Sequence, residues 1–159
     1  MIRILVAEDN AVNRELLREL LEARGYTVSE ACDGQEALHM IEQVKPELLL
    51  LDIGMPVLDG FAVIQRIREN PRLALLPVVA VTAYAMRGDR EKILKSGFDG
   101  YLSKPLNPSS LTEELDRLLT KRAQAAGQDQ GHGDQPGRKD LAAGASGSGA
   151  KQKPVRSGL

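Results

Sequence analysis

A chain of 159 residues with 42% hydrophobic side chains can bury one core and is short for two ordinary domains. Its net charge of -1 conceals a gradient: residues 1–120 carry 14 Lys and Arg against 19 Asp and Glu, a net of -5, while residues 121–159 carry 7 against 3, a net of +4. The acidic body argues against a nucleic-acid-binding face on the folded part, the lone Cys32 excludes an intrachain disulfide, and no apolar run is long enough to span a bilayer.

The N-terminus begins at once on a strand-like run, without a charged-then-apolar leader, so a cytoplasmic protein that engages neither nucleic acid nor membrane is expected. Cys32 reads as a small, half-buried hydrophobe after a strand.

Taken in chain order, Ile2–Ala7 reads as a strand that ends at Glu8-Asp9-Asn10. Val12, Leu16, Leu17, Leu20 and Leu21 then stripe one face of a helix, which Gly25 closes in the position where glycine's left-handed backbone is favoured. Thr27–Ala31 is a weaker strand. Ala37, Leu38, Ile41 and Val44 stripe a second helix, and Pro46 stops it. Leu48–Leu51 is uninterruptedly apolar, the mark of a strand covered on both faces, and ends at Asp52. Phe61, Ile64 and Ile67 stripe a third helix after the Asp59-Gly60 turn. Val78–Val81 is a second doubly covered strand, ending at Thr82. A fourth, poorly apolar helix is expected over Gly88 to Ser96. A short strand, Gly100–Leu102, leads to Ser103-Lys104-Pro105. Asn107 and Pro108 can cap and open the last helix, striped by Leu111, Leu115, Leu118 and Leu119.

Five strands alternating with five helices, with no internal repeat, predict an α/β fold: a doubly wound, flavodoxin-like parallel sheet with right-handed crossovers, strand order 2-1-3-4-5 and helices on both faces. One domain is expected over residues 1–122. Eight of the fifteen glycines fall after Lys121, beside Gln, Ser, Asp and Lys, so residues 123–159 are expected to form a disordered tail with too little apolar surface to fold.

In such a sheet the functional crevice lies at the carboxyl ends of the strands. Glu8, Asp9, Asp52, Thr82 and Lys104 all fall there, from four different strands. Any one of them has an ordinary explanation; Glu8-Asp9-Asn10, for instance, could simply cap the first helix. Three carboxylates, a hydroxyl and an amine converging on one rim are hard to assign to packing. Three clustered carboxylates repel one another and call for a cation, and hard oxygen ligands with room for water and phosphate suit Mg²⁺. Such a cation would let a carboxylate act as nucleophile toward a phosphoryl group, with Lys104 and Thr82 as donors to its oxygens.

Glu8-Asp9-Asn10, the run Leu51-Asp52-Ile53-Gly54-Met55-Pro56-Val57-Leu58-Asp59-Gly60, Val81-Thr82-Ala83 and Tyr101-Leu102-Ser103-Lys104-Pro105 resemble the response-regulator receiver family of two-component signalling, over about residues 1–120. The resemblance implies Asp52 as phosphoacceptor. It also implies Asp9 and Asp52 as direct Mg²⁺ ligands, Glu8 acting through water, the Gly54 carbonyl as a third ligand, Thr82 and Tyr101 as a switch pair, and a cis bond before Pro105. Thr82-Ala83-Tyr84-Ala85-Met86 resembles stand-alone regulators and receivers attached to histidine kinases. The implied role is a non-enzymatic switch, phosphorylated by a histidine kinase or phosphotransfer protein, that docks an effector through the face of the fourth helix, fifth strand and fifth helix. It is expected to be a monomer, with dimerisation on phosphorylation as the variant.

Three alternatives compete. A Mg²⁺-dependent aspartyl-phosphate phosphatase of the haloacid-dehalogenase type would need an acid at position 54, where Gly54 stands. A flavodoxin-like nucleotide binder would need a Gly/Ser/Thr-rich loop where Glu8-Asp9 stands. A receiver-shaped scaffold that never takes phosphate would have little use for an intact acid site. Neither His39 nor His132 is expected to serve as a ligand or phosphodonor.

Overall fold

The computed structural model describes residues 1–83 and 89–133, with residues 125–133 as backbone only. Strands β1 (Arg3–Ala7), β2 (Thr27–Ala31), β3 (Leu48–Asp52), β4 (Val78–Thr82) and β5 (Gly100–Ser103) alternate with helices α1 (Ala11–Ala23), α2 (Gly34–Val44), α3 (Gly60–Glu69), α4 (Asp89–Lys95) and α5 (Pro108–Gly133). All neighbouring strands pair in parallel, in the order β2-β1-β3-β4-β5. The sheet therefore reverses direction of growth at β1, the place where the expected crevice opens.

Alternation along the strands divides the core. Leu5, Ala7, Leu49, Leu51, Val78 and Ala80 pack with Ala37 and Ile41 of α2, Val63, Ile64 and Ile67 of α3, and Ile93 of α4. The intervening Ile4, Val6, Leu48, Leu50, Val79 and Val81 are equally buried and point to the opposite face. The buried leucines of α1 (Leu17, Leu21) and α5 (Leu111, Leu115, Leu118) belong to that second layer. Every residue of β3 and β4 is buried, as their unbroken apolar runs require.

The helix starts follow the capping residues. Asn10, Asp33 and Asp59 each accept from the backbone N–H three residues on, at Asn13, Glu36 and Ala62, and Asn107 accepts from Ser109. Each such cap contributes about 1 kcal/mol.

Three expectations are corrected. Val12 and Leu16 are exposed rather than part of the buried stripe of α1. At 3.6 residues per turn they lie roughly 140° and 100° round the helix from Leu17, outside the face that meets the sheet. Cys32 is exposed as well, in the turn before α2, where its N–H donates to Glu36 Oε1 at 2.6 Å. The last helix continues through residues 123–133, beyond the boundary at Arg122. Lys121, Arg122, Ala123, Gln124, Ala125 and Ala126 are all good helix formers, which carries the helix on before glycines accumulate. The compact unit itself is Met1–Leu118, and the chain from Leu119 forms a second unit. Residues 134–159, the rest of the expected tail, lie outside the described residues, as do Gly88 and the stretch Tyr84–Met86. Among the described residues no helix is long and apolar enough to cross a membrane.

Candidate phosphoacceptor site

Glu8 follows β1, its N–H bonded to the Ala31 carbonyl at 3.0 Å, so the end of β2 holds the end of β1. Asp52 closes β3 and is buried. Gly54 N–H donates to its Oδ1 at 3.0 Å. Thr82 closes β4 and is buried. Its carbonyl accepts from the Lys104 N–H at 2.8 Å, which seats Lys104 beside it. The Lys104–Pro105 peptide bond is cis.

These strand ends converge. Carboxylate oxygens of Glu8, Asp9 and Asp52 all lie within 4.8 Å of one another, and the three could hold one metal ion. Lys104 Nζ stands 2.8 Å from Glu8 Oε1 and 3.3 Å from Asp52 Oδ2. Among the described residues this buried oxygen has the Lys104 ammonium as its ion-pair partner and no other hydrogen-bond donor. Glu8 Oε2 accepts from the Asn10 N–H at 3.0 Å. Asp9 is exposed, at the mouth.

The charges do not balance. Among the described residues, three carboxylates face one ammonium, and Glu8 is only 1% exposed. Burial pushes the Glu8 carboxyl up from 4.5 to about 7, with Asp52 adding to the rise against the opposing pull of Lys104 and Asn10. Burial works to lower the Lys104 ammonium, but Glu8 and Asp52 outweigh it, so its proton is held more tightly than usual. A divalent cation could supply the missing charge, and an all-oxygen donor set with an exposed mouth fits a hard cation that keeps water ligands. At Gly54 an added Cβ would meet only Asp52 Oδ1, at 3.9 Å, so the backbone beside Asp52 is open.

The five residues expected at the rim are thus brought together, and Tyr101 lies half-buried on β5 in register with Ala80. Within Glu8-Asp9-Asn10, Asn10 is the N-cap of α1, and the two acids that precede it lie with Asp52. His39 is exposed, and only the backbone of His132 is described. Sequence reasoning missed Arg14, whose Nη1 donates to the Glu8 carbonyl at 2.9 Å. Its place one turn into a helix that follows an acid pair was the available signal.

Residues 4–116 match the response regulator receiver domain family. The chain belongs to this family. A protein of 14.6 kDa from Leptolyngbya boryana, of uncharacterised function, is 46% identical over 108 residues, covering 68% of this chain and 82% of that one. The polar-differentiation response regulator DivK of Brucella anthropi is 37% identical, covering 73% of this chain and 94% of its own. Among solved structures, the receiver domain of a Pseudomonas aeruginosa sensor histidine kinase, with a magnesium ion coordinated in its active-site cleft, is 35% identical. Its TM-score is 0.70, over 75% of this chain and 98% of that one. The chain is accordingly a receiver domain of two-component signalling, with the flavodoxin-like parallel sheet of that family.

Proposed function

We propose that this receiver is a phosphorylation-dependent switch in which Asp52 accepts the phosphoryl group from a phosphohistidine of a histidine kinase or phosphotransfer protein. The observation that carries the reading is the acid-rich, buried site in which one ammonium, Lys104, is shared by Glu8 and Asp52. Asp9 and Asp52 would hold Mg²⁺ directly, with the Gly54 carbonyl and, through water, Glu8. When bound, Mg²⁺ supplies the positive charge that lets an anionic carboxylate meet an anionic phosphoryl group. An Asp52 oxygen forms the new bond to phosphorus as the bond to the imidazole nitrogen breaks, its electron pair leaving with the imidazole. Lys104, already between Glu8 and Asp52, is placed to clamp a phosphoryl oxygen, and the Thr82 hydroxyl to donate to another.

The chain acts as a stoichiometric switch in the cytoplasm, not as a turnover enzyme, and no acid stands at Gly54 to serve phosphatase chemistry. Thr82 closes β4 and Tyr101 lies on neighbouring β5, while α4 has a single buried residue, Ile93. That lightly anchored helix is the part of the domain least costly to shift when Thr82 turns toward a phosphoryl group and Tyr101 moves inward. The face of α4, β5 and α5 is the proposed effector surface, on a monomer or on a dimer formed after phosphorylation. Coupling of this kind is about 1–3 kcal/mol, a roughly 5- to 150-fold change in effector affinity.

Mass spectrometry after incubation with a small phosphodonor tests site and class together. The expected result is one base-labile phosphoryl group, dependent on Mg²⁺ and absent in Asp52→Asn. A label that survives chelation or appears in the variant overturns the reading. Thr82→Ala should still take the label and lose most of the affinity change.

A further inference from the structure

We propose that Arg14 is a positioning residue for the cation site, holding the turn that presents Glu8 and Asp9; this rests on the Mg²⁺-dependent reading above. Glu8 is fixed at three points. Its N–H is bonded to Ala31, its carboxylate meets Lys104 and Asn10, and its carbonyl accepts from Arg14 Nη1 at 2.9 Å. The third point matters most for Asp9. The Glu8 carbonyl belongs to the peptide plane that leads into Asp9, and Asp9 is exposed, so its carboxylate is placed by the backbone that carries it. Rotation of that one peptide would swing Asp9 away from Asp52. Mg²⁺ demands near-ideal octahedral geometry, so small errors in ligand placement are costly.

Arg14 is itself held. Its Nε donates to Glu30 Oε1 at 3.0 Å, and the pair is well shielded, at 18% and 26% side-chain exposure. The other Glu30 oxygen accepts from Arg18 Nη1 at 2.6 Å, and Arg18 also pairs with Glu22 at 3.2 Å. Glu30 lies on β2, in register with Val6, two residues before Glu8 on β1. A rigid guanidinium fork thus ties a helix, a neighbouring strand and the acid turn together. A lysine, with one point of charge, could satisfy the Glu30 carboxylate or the Glu8 carbonyl but would not hold both at fixed spacing. The device costs no charge balance, since Arg14 and Arg18 are matched by Glu30 and Glu22. The negative excess of the site is left for its ligand.

Calorimetric titration with Mg²⁺ of the wild type and of Arg14→Met, Arg14→Lys and Glu30→Gln tests the assignment. Arg117→Met serves as control, because Arg117 likewise donates from a helix to a loop carbonyl, that of Asp99 at 2.9 Å, and pairs with Glu114. Arg14→Met is expected to weaken Mg²⁺ about tenfold, with Arg14→Lys and Glu30→Gln intermediate and Arg117→Met unchanged. Amide exchange at Asp9 and Asn10 in the metal-free protein should quicken in Arg14→Met and stay unchanged in Arg117→Met. Unaltered affinity in the Arg14 and Glu30 variants, or an equal loss in the control, overturns the proposal. A wild type that binds no Mg²⁺ overturns the cation reading instead. The exchange measurement then still decides Arg14's hold on the turn, and Glu30→Gln decides it if Arg14→Met fails to fold.

Discussion

The two ends of the sheet use the same kinds of residue to opposite effect. At the amino-terminal end, Arg68 of α3 donates to the carbonyls of Gly97 (2.9 Å), Ala74 (3.0 Å) and Leu76 (2.7 Å) and to Asp99 Oδ2 (2.8 Å). Asp99 Oδ2 also accepts from the Val78 N–H at 2.9 Å. One cation meets one anion, and the spare donors meet backbone carbonyls. At the carboxyl-terminal end, among the described residues, three acids meet one lysine. A satisfied polar cluster ties loops to the sheet. One with an excess of negative charge carries a standing cost that a ligand can remove.

The sharpest way to break this contrast is to remove Arg68. Arg68→Ala leaves three carbonyls and a carboxylate without their donor and should destabilise the fold by about 3 kcal/mol in urea unfolding, while Mg²⁺ affinity at the far end stays within twofold. A large loss of Mg²⁺ affinity would mean that the two ends are not independent.

An effect of similar size comes from pH at the other end. Glu8 in the folded, metal-free protein holds its proton up to about pH 7, against an ordinary value of 4.5. Between those values the folded state binds more protons than the unfolded state. The contribution is full below about pH 4.5 and is lost as pH rises through about 7, a fall of up to about 3 kcal/mol. Denaturant midpoints of the metal-free protein across that window should show the decline, and Glu8→Gln should flatten it.

Gly34 sharpens the comparison within the site end. A Cβ there would run into the Leu58 carbonyl oxygen and crowd Val63 Cγ2, so α2 packs against the loop leading from Asp52 to α3 only because residue 34 is glycine. Gly34→Ala should destabilise by about 2 kcal/mol and also slow phosphoryl uptake, since it displaces the loop that bears Gly54. Stability and uptake measured on the same sample separate the two effects.

The smallest effect is expected at Val57. This β-branched residue sits at φ 69° in a tight turn closed by Leu58 N–H to the Pro56 carbonyl at 2.7 Å, and its side chain is exposed. Val57→Gly should relieve the left-handed backbone and raise stability by about 0.5 kcal/mol, the relief being partly offset by the greater freedom of the unfolded chain. Unchanged or lower stability would show that the turn is not strained.

The sequence alone determined what depends on neighbours a few residues apart. Apolar runs located the strands and the 3.6-residue period located four of the helices, and the doubly apolar runs at Leu48 and Val78 marked the central strands. Asn10, Asp59 and Asn107 announced three helix starts, and the strand ends pointed to Glu8, Asp9, Asp52, Thr82 and Lys104. Tertiary structure decided what depends on which strand lies beside which. The strand order brings Glu8 and Asp52 within reach of the one ammonium of Lys104, and burial there, not composition, raises the proton affinity of Glu8. The same packing left Val12 and Leu16 in solvent, because a stripe gives the width of an apolar face but not the angle at which the helix meets the sheet. The link from Arg14 to the Glu8 carbonyl was hidden for a related reason: a backbone oxygen belongs to every residue, and only the fold decides which one is left for a side chain to find.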